Sequence, residues 1–361
     1  MSSTIVFDAE TIPALTEQKP QTPWGRRTGK FRLVVVLAIV IPALIVGSLF
    51  MFSTLPGAVI MVAVYFPLQI IATVLAAISV RGTKSAGDAV IIVSAIGATI
   101  FSGIVLISLL WSIITKGIQA MSMAFIFQNN EYISPSTPLG YGGIGHAVLG
   151  TVLIVGISAL IAVPLGVMTA LYITEVRGRA VPYVRFFVQA MSGVPSVVAG
   201  LFILTVLILT GVLNNSAFAA GLAYSILMLP TVARTAEEVL KLVPEELRTG
   251  ALALGSTRAR VALRVVVPAA KTGIITAAIL GVARVVGETA PLLLTALKND
   301  KTVLNPFSEP ISALPTYIFT NVAQPYPDAV LRAWGAALAL MVIVAVLFTV
   351  TRVLSAKRPG K

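Results

Sequence analysis

Apolar residues fall along this chain in long blocks. They follow neither the alternating spacing of strands nor the narrow stripe of a half-buried helix. Eight blocks approach or exceed about 20 residues, the length that carries a helix across the hydrocarbon core of a bilayer. They cover 33–53, 58–80, 89–113, 144–172, 189–211, 217–233, 272–296 and 329–353. The first two are separated by Leu55-Pro56-Gly57, a tight turn signal, and the sixth is short and ends near Pro230. The pattern predicts an all-α polytopic integral membrane protein with about eight transmembrane helices.

The polar stretches divide the chain further. Residues 1–32 are rich in Thr, Gln, Pro and Glu and read as a disordered cytoplasmic tail. The Arg26-Arg27 pair in it precedes an apolar stretch too long for a signal-peptide core, which makes that stretch an anchor. Segments 114–143 and 297–328 carry Pro, Ser, Asn and Tyr and read as short helices and loops at the outer surface. Segment 234–271 holds seven basic and four acidic residues, too long for a turn and too short for a domain. Within it Pro244 suits a first helical turn, Glu245 and Glu246 suit the positive end of the helix dipole, and Gly255 suits a stop. A second short helix is expected from Thr257 to Val267, ended by Pro268. Such a loop either lies on lipid headgroups or docks a cytoplasmic partner.

Composition narrows the class. The chain is 57% hydrophobic and 11% charged, against about 25% charged in soluble domains. Cysteine is absent and His146 is the one histidine, which excludes disulfides, Cys-based metal sites and His-based triads. His146 itself reads as a polar residue at the outer interface. The net charge of +12 could suggest nucleic acid, but 21 of the 26 basic residues flank spans on one side. Only Lys116, Lys298, Lys301 and Arg332 fall on the other, with Arg284 inside a span. That asymmetry follows the positive-inside rule, places both termini in the cytoplasm and makes membrane lipid, not nucleic acid, the partner of the charge. Gly140–Gly145 matches a dinucleotide fingerprint by letters but precedes a span, and Gly25–Lys30 falls one residue short of a P-loop.

Candidate chemistry sits in Arg284-Val285-Val286-Gly287-Glu288-Thr289-Ala290-Pro291, inside the apolar block 272–296. On one helix Arg284 and Glu288 share a face. Each charge at mid-membrane costs about 2.5–3.5 kcal/mol on insertion scales. Such a pair either locks helix packing or lines an anion path, where Thr289 could add a hydroxyl. Arg234, at the end of the sixth block, reads as an interfacial anchor or an exit-side anion contact, and Arg185 as an anchor. Pro164, Pro195, Pro230 and Pro291 are expected to kink spans.

The segments Leu229–Glu238, Leu242–Gly255 and Ala283–Leu293 resemble the PstA-type permeases of bacterial phosphate-specific ABC transporters. So do Ser192–Leu201 and Ala313–Phe319, and the similarity runs from about Gly142 to Val353. The loop pattern of ABC importer permeases falls on Thr249-Gly250-Ala251, Gly255, Val265 and Val267-Pro268, with Thr249 and Gly250 replacing the usual Glu and first Ala. The resemblance implies an ABC permease transmembrane domain over 89–356, with coupling loop 234–271 and two extra N-terminal helices over 33–88. It implies a transport subunit without its own ATPase site or cofactor, in a bacterial plasma membrane. ATP and Mg would be bound by two copies of a partner ATPase (PstB type). A second permease chain (PstC type) and an extracytoplasmic phosphate-binding protein (PstS type) complete the set. Arg284, Glu288, Thr289 and Arg234 become the expected substrate path. Glu245, Glu246, Arg248, Thr249, Gly250, Ala251, Gly255 and Pro268 become the expected coupling residues. A permease for sulfate or molybdate, or an ion-coupled carrier acting alone, are the competing readings.

Overall fold

The computed structural model describes residues 29–53, 57–176 and 178–356. The expected tail over 1–32 therefore lies almost wholly outside the described residues. Among the described residues all regular structure is helical. The helices are α1 (Gly29–Phe52), α2 (Gly57–Val59), α3 (Phe66–Arg81), α4 (Ala86–Ala120), α5 (Met123–Phe127) and α6 (Gly145–Leu171). Then come α7 (Val181–Ser192), α8 (Ser196–Ile203), α9 (Ala217–Lys241), α10 (Glu245–Ala253) and α11 (Arg258–Val261). The chain closes with α12 (Val267–Ala269), α13 (Lys271–Val285), α14 (Ala290–Thr295), α15 (Leu314–Val322) and α16 (Pro327–Ala356). Among the described residues five helices are long and apolar enough to cross a membrane, or seven when the bent pairs 181–192 with 196–208 and 258–269 with 271–285 each count as one. The shorter apolar stretch Ala63–Ser79 accounts for the remaining expected span. The chain forms two compact units, residues 1–108 and 109–361.

In the first unit α1 and α3 pack together, and one contact shows how a proline is tolerated in a dry helix. Pro42 lies inside α1 and has no N–H, so the carbonyl of Ala38 loses its helical donor. Gln69 of α3 supplies one, its Nε2 donating to Ala38 O at 3.0 Å. Hydrocarbon offers no such partner, so a neighbouring helix must. Gly82, at φ 83°, then ends α3 in a conformation that glycine adopts without strain.

The second unit is organised around α9, which the side chain of Ser216 caps by accepting from Ala219 N at 3.2 Å. Its first turns, Ala217, Ala219, Ala220, Gly221 and Ala223, are fully buried and small. Small residues let backbones approach where the hydrophobic effect offers helices no net attraction. A Cβ on Gly221 would meet Ile157 of α6 at 2.6 Å, and one on Gly166 would meet Val232 at 2.9 Å, so α6 and α9 run parallel and in close contact. On the other side Gly281 faces Met228 and Val232, and Gly273 faces Val239. That order makes α13 antiparallel to α9.

Two expected spans are not single helices. Block 189–211 bends by 103° between α7 and α8. Gly193 and Pro195 occupy the break, Pro195 supplying no donor and restricting Val194. Block 272–296 breaks at 286–289, between α13 and α14. The expected stop at Pro268 is also corrected, because helix continues through it to Ala269. A π-helical turn over Ala262–Val266 precedes it, with Val267 N donating to Ala262 O, and the widened turn accommodates the proline ring. Pro67 is handled the same way by the π-turn Ile60–Tyr65.

A Cβ at Gly150 of α6 would lie 2.0 Å from the carbonyl oxygen of Ser312, a backbone atom that cannot swing aside. Gly150→Ala is therefore expected to cost about 1–3 kcal/mol or more through overpacking. It should lower the thermal unfolding midpoint of the purified chain, whereas Gly156→Ala, with open space around it, should not.

Candidate functional site

The break between α13 and α14 is held in place from both sides. Tyr224 of α9 is 1% exposed, and its hydroxyl donates to the main-chain carbonyl of Glu288. That bond satisfies a backbone acceptor freed where the helix stops. On the other side Pro291 abuts α8 so closely that a Cβ on Gly200 would lie 2.7 Å from Pro291 Cα. Val285 and Leu292 sit in the same buried cluster as Tyr224 and Met228. The break is thus a packed feature, not a frayed end.

Arg284 and Glu288 do not share the face of one helix, because α13 ends at Val285. They form no ion pair, and neither side chain has a hydrogen-bond partner among the described residues. Arg284 is exposed in the isolated chain, while Glu288 and Thr289 are half-buried. Thr289 is the residue before α14 and makes no side-chain cap. Thr272, Thr276, Leu280, Arg284 and Gly287 form one accessible stripe along α13 at near-fourfold spacing. Arg234 is exposed on the neighbouring α9, with Thr231 and Thr235 half-exposed beside it. Since Gly281 meets Met228 and Val232, Arg284 and Arg234 flank that contact, separated by about one to two turns along the bundle. The structure therefore brings Arg284, Glu288 and Thr289 to one break and sets Arg234 toward the loop end.

At that loop end a buried network replaces the expected surface. α10 forms as expected, with Pro244 before it, Glu245 and Glu246 in its first turn, and Gly255 at φ 81° beyond its end. Glu245, Glu246, Thr249, Gly250, Gly255 and Pro268 are exposed. Arg248 and Ala251 point inward. Arg248 is 8% exposed and binds Glu175, Nη2 to Oε1 at 3.1 Å and Nε to both carboxylate oxygens at 3.2 and 3.3 Å. It also donates to the carbonyls of Leu240 at 2.8 Å and Val243 at 2.6 Å. One guanidinium therefore ties α10 to the π-turn that ends α6 and to the last turn of α9. Position alone could not show this, because an arginine in a charged loop defaults to the surface.

Sequence reasoning also gave Glu237 no role. Its carboxylate is nearly buried and binds Arg185 of α7 at 2.8 Å and Lys241 at 2.9 Å, so Arg185 is a brace between α7 and α9 as well as an interfacial charge. A cavity of about 350 Å³ lies between the two networks, lined by Ile173, Thr174, Arg185, Lys241, Glu245 and Arg248. On the open side of the loop Leu242 and Leu254 are 81% and 88% exposed, and Leu247 joins them.

Truncating Arg248 leaves Glu175 buried without its partner. Arg248→Ala is expected to destabilise the loop by about 3–5 kcal/mol. Limited proteolysis should then cut between residues 242 and 258, and Glu175→Gln combined with Arg248→Met should restore part of the protection.

A family model described as "Binding-protein-dependent transport system inner membrane component" matches residues 162–358. The phosphate transport system permease protein PstA 1 of Mycobacterium tuberculosis (strain CDC 1551 / Oshkosh) is 40% identical over 242 residues, covering 66% of this chain and 79% of that one. The PstA protein of Haemophilus influenzae is 37% identical over 246 residues, covering 68% and 85%, and that of Yersinia pestis is 35% identical over 255 residues, covering 70% and 84%. Among solved structures, an inward-facing form of the MetNI methionine ABC transporter aligns over 59% of this chain and 93% of its own, at 16% identity and TM-score 0.47. Residues 162–358 contain the α13–α14 break and the α10 loop, and on these matches the chain belongs to the binding-protein-dependent transport system inner membrane components and, among them, to the PstA permeases.

Proposed function

We propose that this chain is the membrane-spanning permease subunit of an ATP-driven importer that moves inorganic phosphate into the cytoplasm. The observation that carries the reading is the packed helix break at 286–289, with Arg284 beside it, Glu288 within it and neither in an ion pair among the described residues. A guanidinium exposed at membrane depth needs a polar path or a protein neighbour. A second permease chain of the PstC type, closing over the accessible stripes of α9 and α13, supplies the neighbour and encloses the path. Phosphate carries one to two negative charges near neutrality, and its oxygens suit a guanidinium. Glu288, within the break, competes for Arg284 and so limits how tightly the anion is held. It also accepts a hydrogen bond from protonated phosphate, which sulfate cannot offer. Arg234 then takes the anion one to two turns nearer the loop.

Drive comes from partners. Two ATPase subunits of the PstB type bind ATP and Mg, and one receives α10 in a cleft through Leu242, Leu247 and Leu254. The Arg248–Glu175 link passes their closure directly to α6 and α9. A binding protein of the PstS type delivers phosphate at the opposite face, with both termini of this chain in the cytoplasm. The relatives named above support this reading by their shared length and sequence. A sulfate or molybdate permease fits the same architecture, and substrate competition separates it.

The test is uptake of radiolabelled phosphate by vesicles holding the four-component complex. Uptake should require ATP and fall about tenfold or more in Arg284→Ala with the complex intact. Glu288→Gln should lower uptake and weaken discrimination against sulfate. Uptake without the ATPase, or of sulfate but not phosphate, would overturn the assignment.

A further inference from the structure

Arg332 is a buried cation held by main-chain carbonyls. It lies near the start of α16, is 1% exposed, and forms no ion pair among the described residues. Its Nη2 donates to the carbonyls of Thr137, Pro138 and Tyr141 at 2.8, 2.9 and 3.1 Å, which fixes the preceding loop. Its Nε is buried and has no partner. Asp300 Oδ2 binds Lys298 at 2.9 Å, while its Oδ1 is buried without a hydrogen-bond partner and forms no ion pair with Arg332. A buried charge without a counter-charge is strongly disfavoured unless something outside the chain provides one.

The space beside it has the matching chemistry. Arg332 lines a cavity of about 40 Å³ with Lys298, Asn130, Thr320, Asn321 and Gln324. That is room for about three waters, or for one small tetrahedral anion. Arg332, the Asp300-paired Lys298, three amide side chains and the hydroxyl residues Ser134 and Thr320 line it, and no carboxylate does. Asn130 is 7% exposed, and its Oδ1 is also buried and unpartnered.

Location gives the cavity a role. Tyr141, Gly143 and Gly145 join the Asn130 loop to the first turn of α6, while the π-turn that continues α6 ends beside Arg248. The cavity and α10 therefore lie at opposite ends of the same helix, about 45 Å apart. We propose that this cavity is an entrance subsite at the face away from α10, where Arg332, Lys298 and Asn130 hold a small oxyanion before it reaches the α13–α14 break. The oxyanion is phosphate on the reading above, and only the identity of the anion rests on that reading. Its oxygens accept from Arg332, Lys298 and Asn130 Nδ2, because Asn130 Oδ1 is buried against Gly142.

Replacing Arg332 would also release the 137–141 loop, so the decisive variant is Asn130→Asp. It places a carboxylate in the cavity as an internal partner for Arg332 and competes with the anion. Lys298→Ala, at an exposed residue, is the second variant. In the four-component complex each should raise the KM for phosphate uptake, Asn130→Asp by about tenfold. In a complex carrying Arg284→Ala and lacking the binding protein, saturable binding of radiolabelled phosphate should persist and disappear on adding Asn130→Asp. An unchanged KM together with unchanged binding would mean that water alone fills the cavity and would overturn the subsite. The same KM shift seen with sulfate in place of phosphate would keep the subsite and overturn only the cargo.

Discussion

Close packing of α9 between α6 and α13 is the constraint on which the rest of the second unit depends. Lipid tails are as apolar as leucine, so helices in a bilayer associate through fit more than through burial. Gly166 and Gly221 set the approach of α6, and Gly273 and Gly281 that of α13. Tyr224, Met228 and Val232 then pack against the helix that carries Arg284. Loosening any of these contacts would move the helix break relative to α8 and α9.

The breaks follow from the same constraint. A chain in hydrocarbon can leave helical geometry only where protein satisfies its backbone. At Pro42 the donor is Gln69, at the 286–289 break it is Tyr224, and before Pro67 and Pro268 the ladder itself widens into π-turns. The α13–α14 break can present polar groups at membrane depth because both of its flanks are packed.

Much of this was legible in the sequence, and the remainder fails for identifiable reasons. Block length and charge asymmetry gave the membrane class, and proline and glycine punctuation gave α10 with its start at Glu245 and its end before Gly255. Interruptions inside apolar blocks were legible only as kinks at Pro195 and Pro291, because hydropathy averages over a full break. Blocks 189–211 and 272–296 therefore read as single spans, and Arg284 and Glu288 as a same-face pair. Burial of polar residues was not legible either. His146 reads as interfacial, yet it is 1% exposed with its ring edge-on to Tyr317 at 5.7 Å. Arg332 and Arg248 read as surface charges for the same reason: local pattern records the span a residue flanks, not the loop that folds over it.

The central claim is that the α13–α14 break faces the path of the transported anion. The chain has no cysteine, so a single Gly287→Cys can be followed without background from this subunit. Gly287 is exposed, and a Cβ there meets nothing within 4 Å. Labelling by a charged, membrane-impermeant thiol reagent in the assembled complex, with all other subunits also free of reactive thiols, should depend on whether ATP is bound and should slow when phosphate is present. A cysteine that reacts only with lipid-soluble reagents, at a rate indifferent to ATP and phosphate, would place the break against lipid and contradict the account.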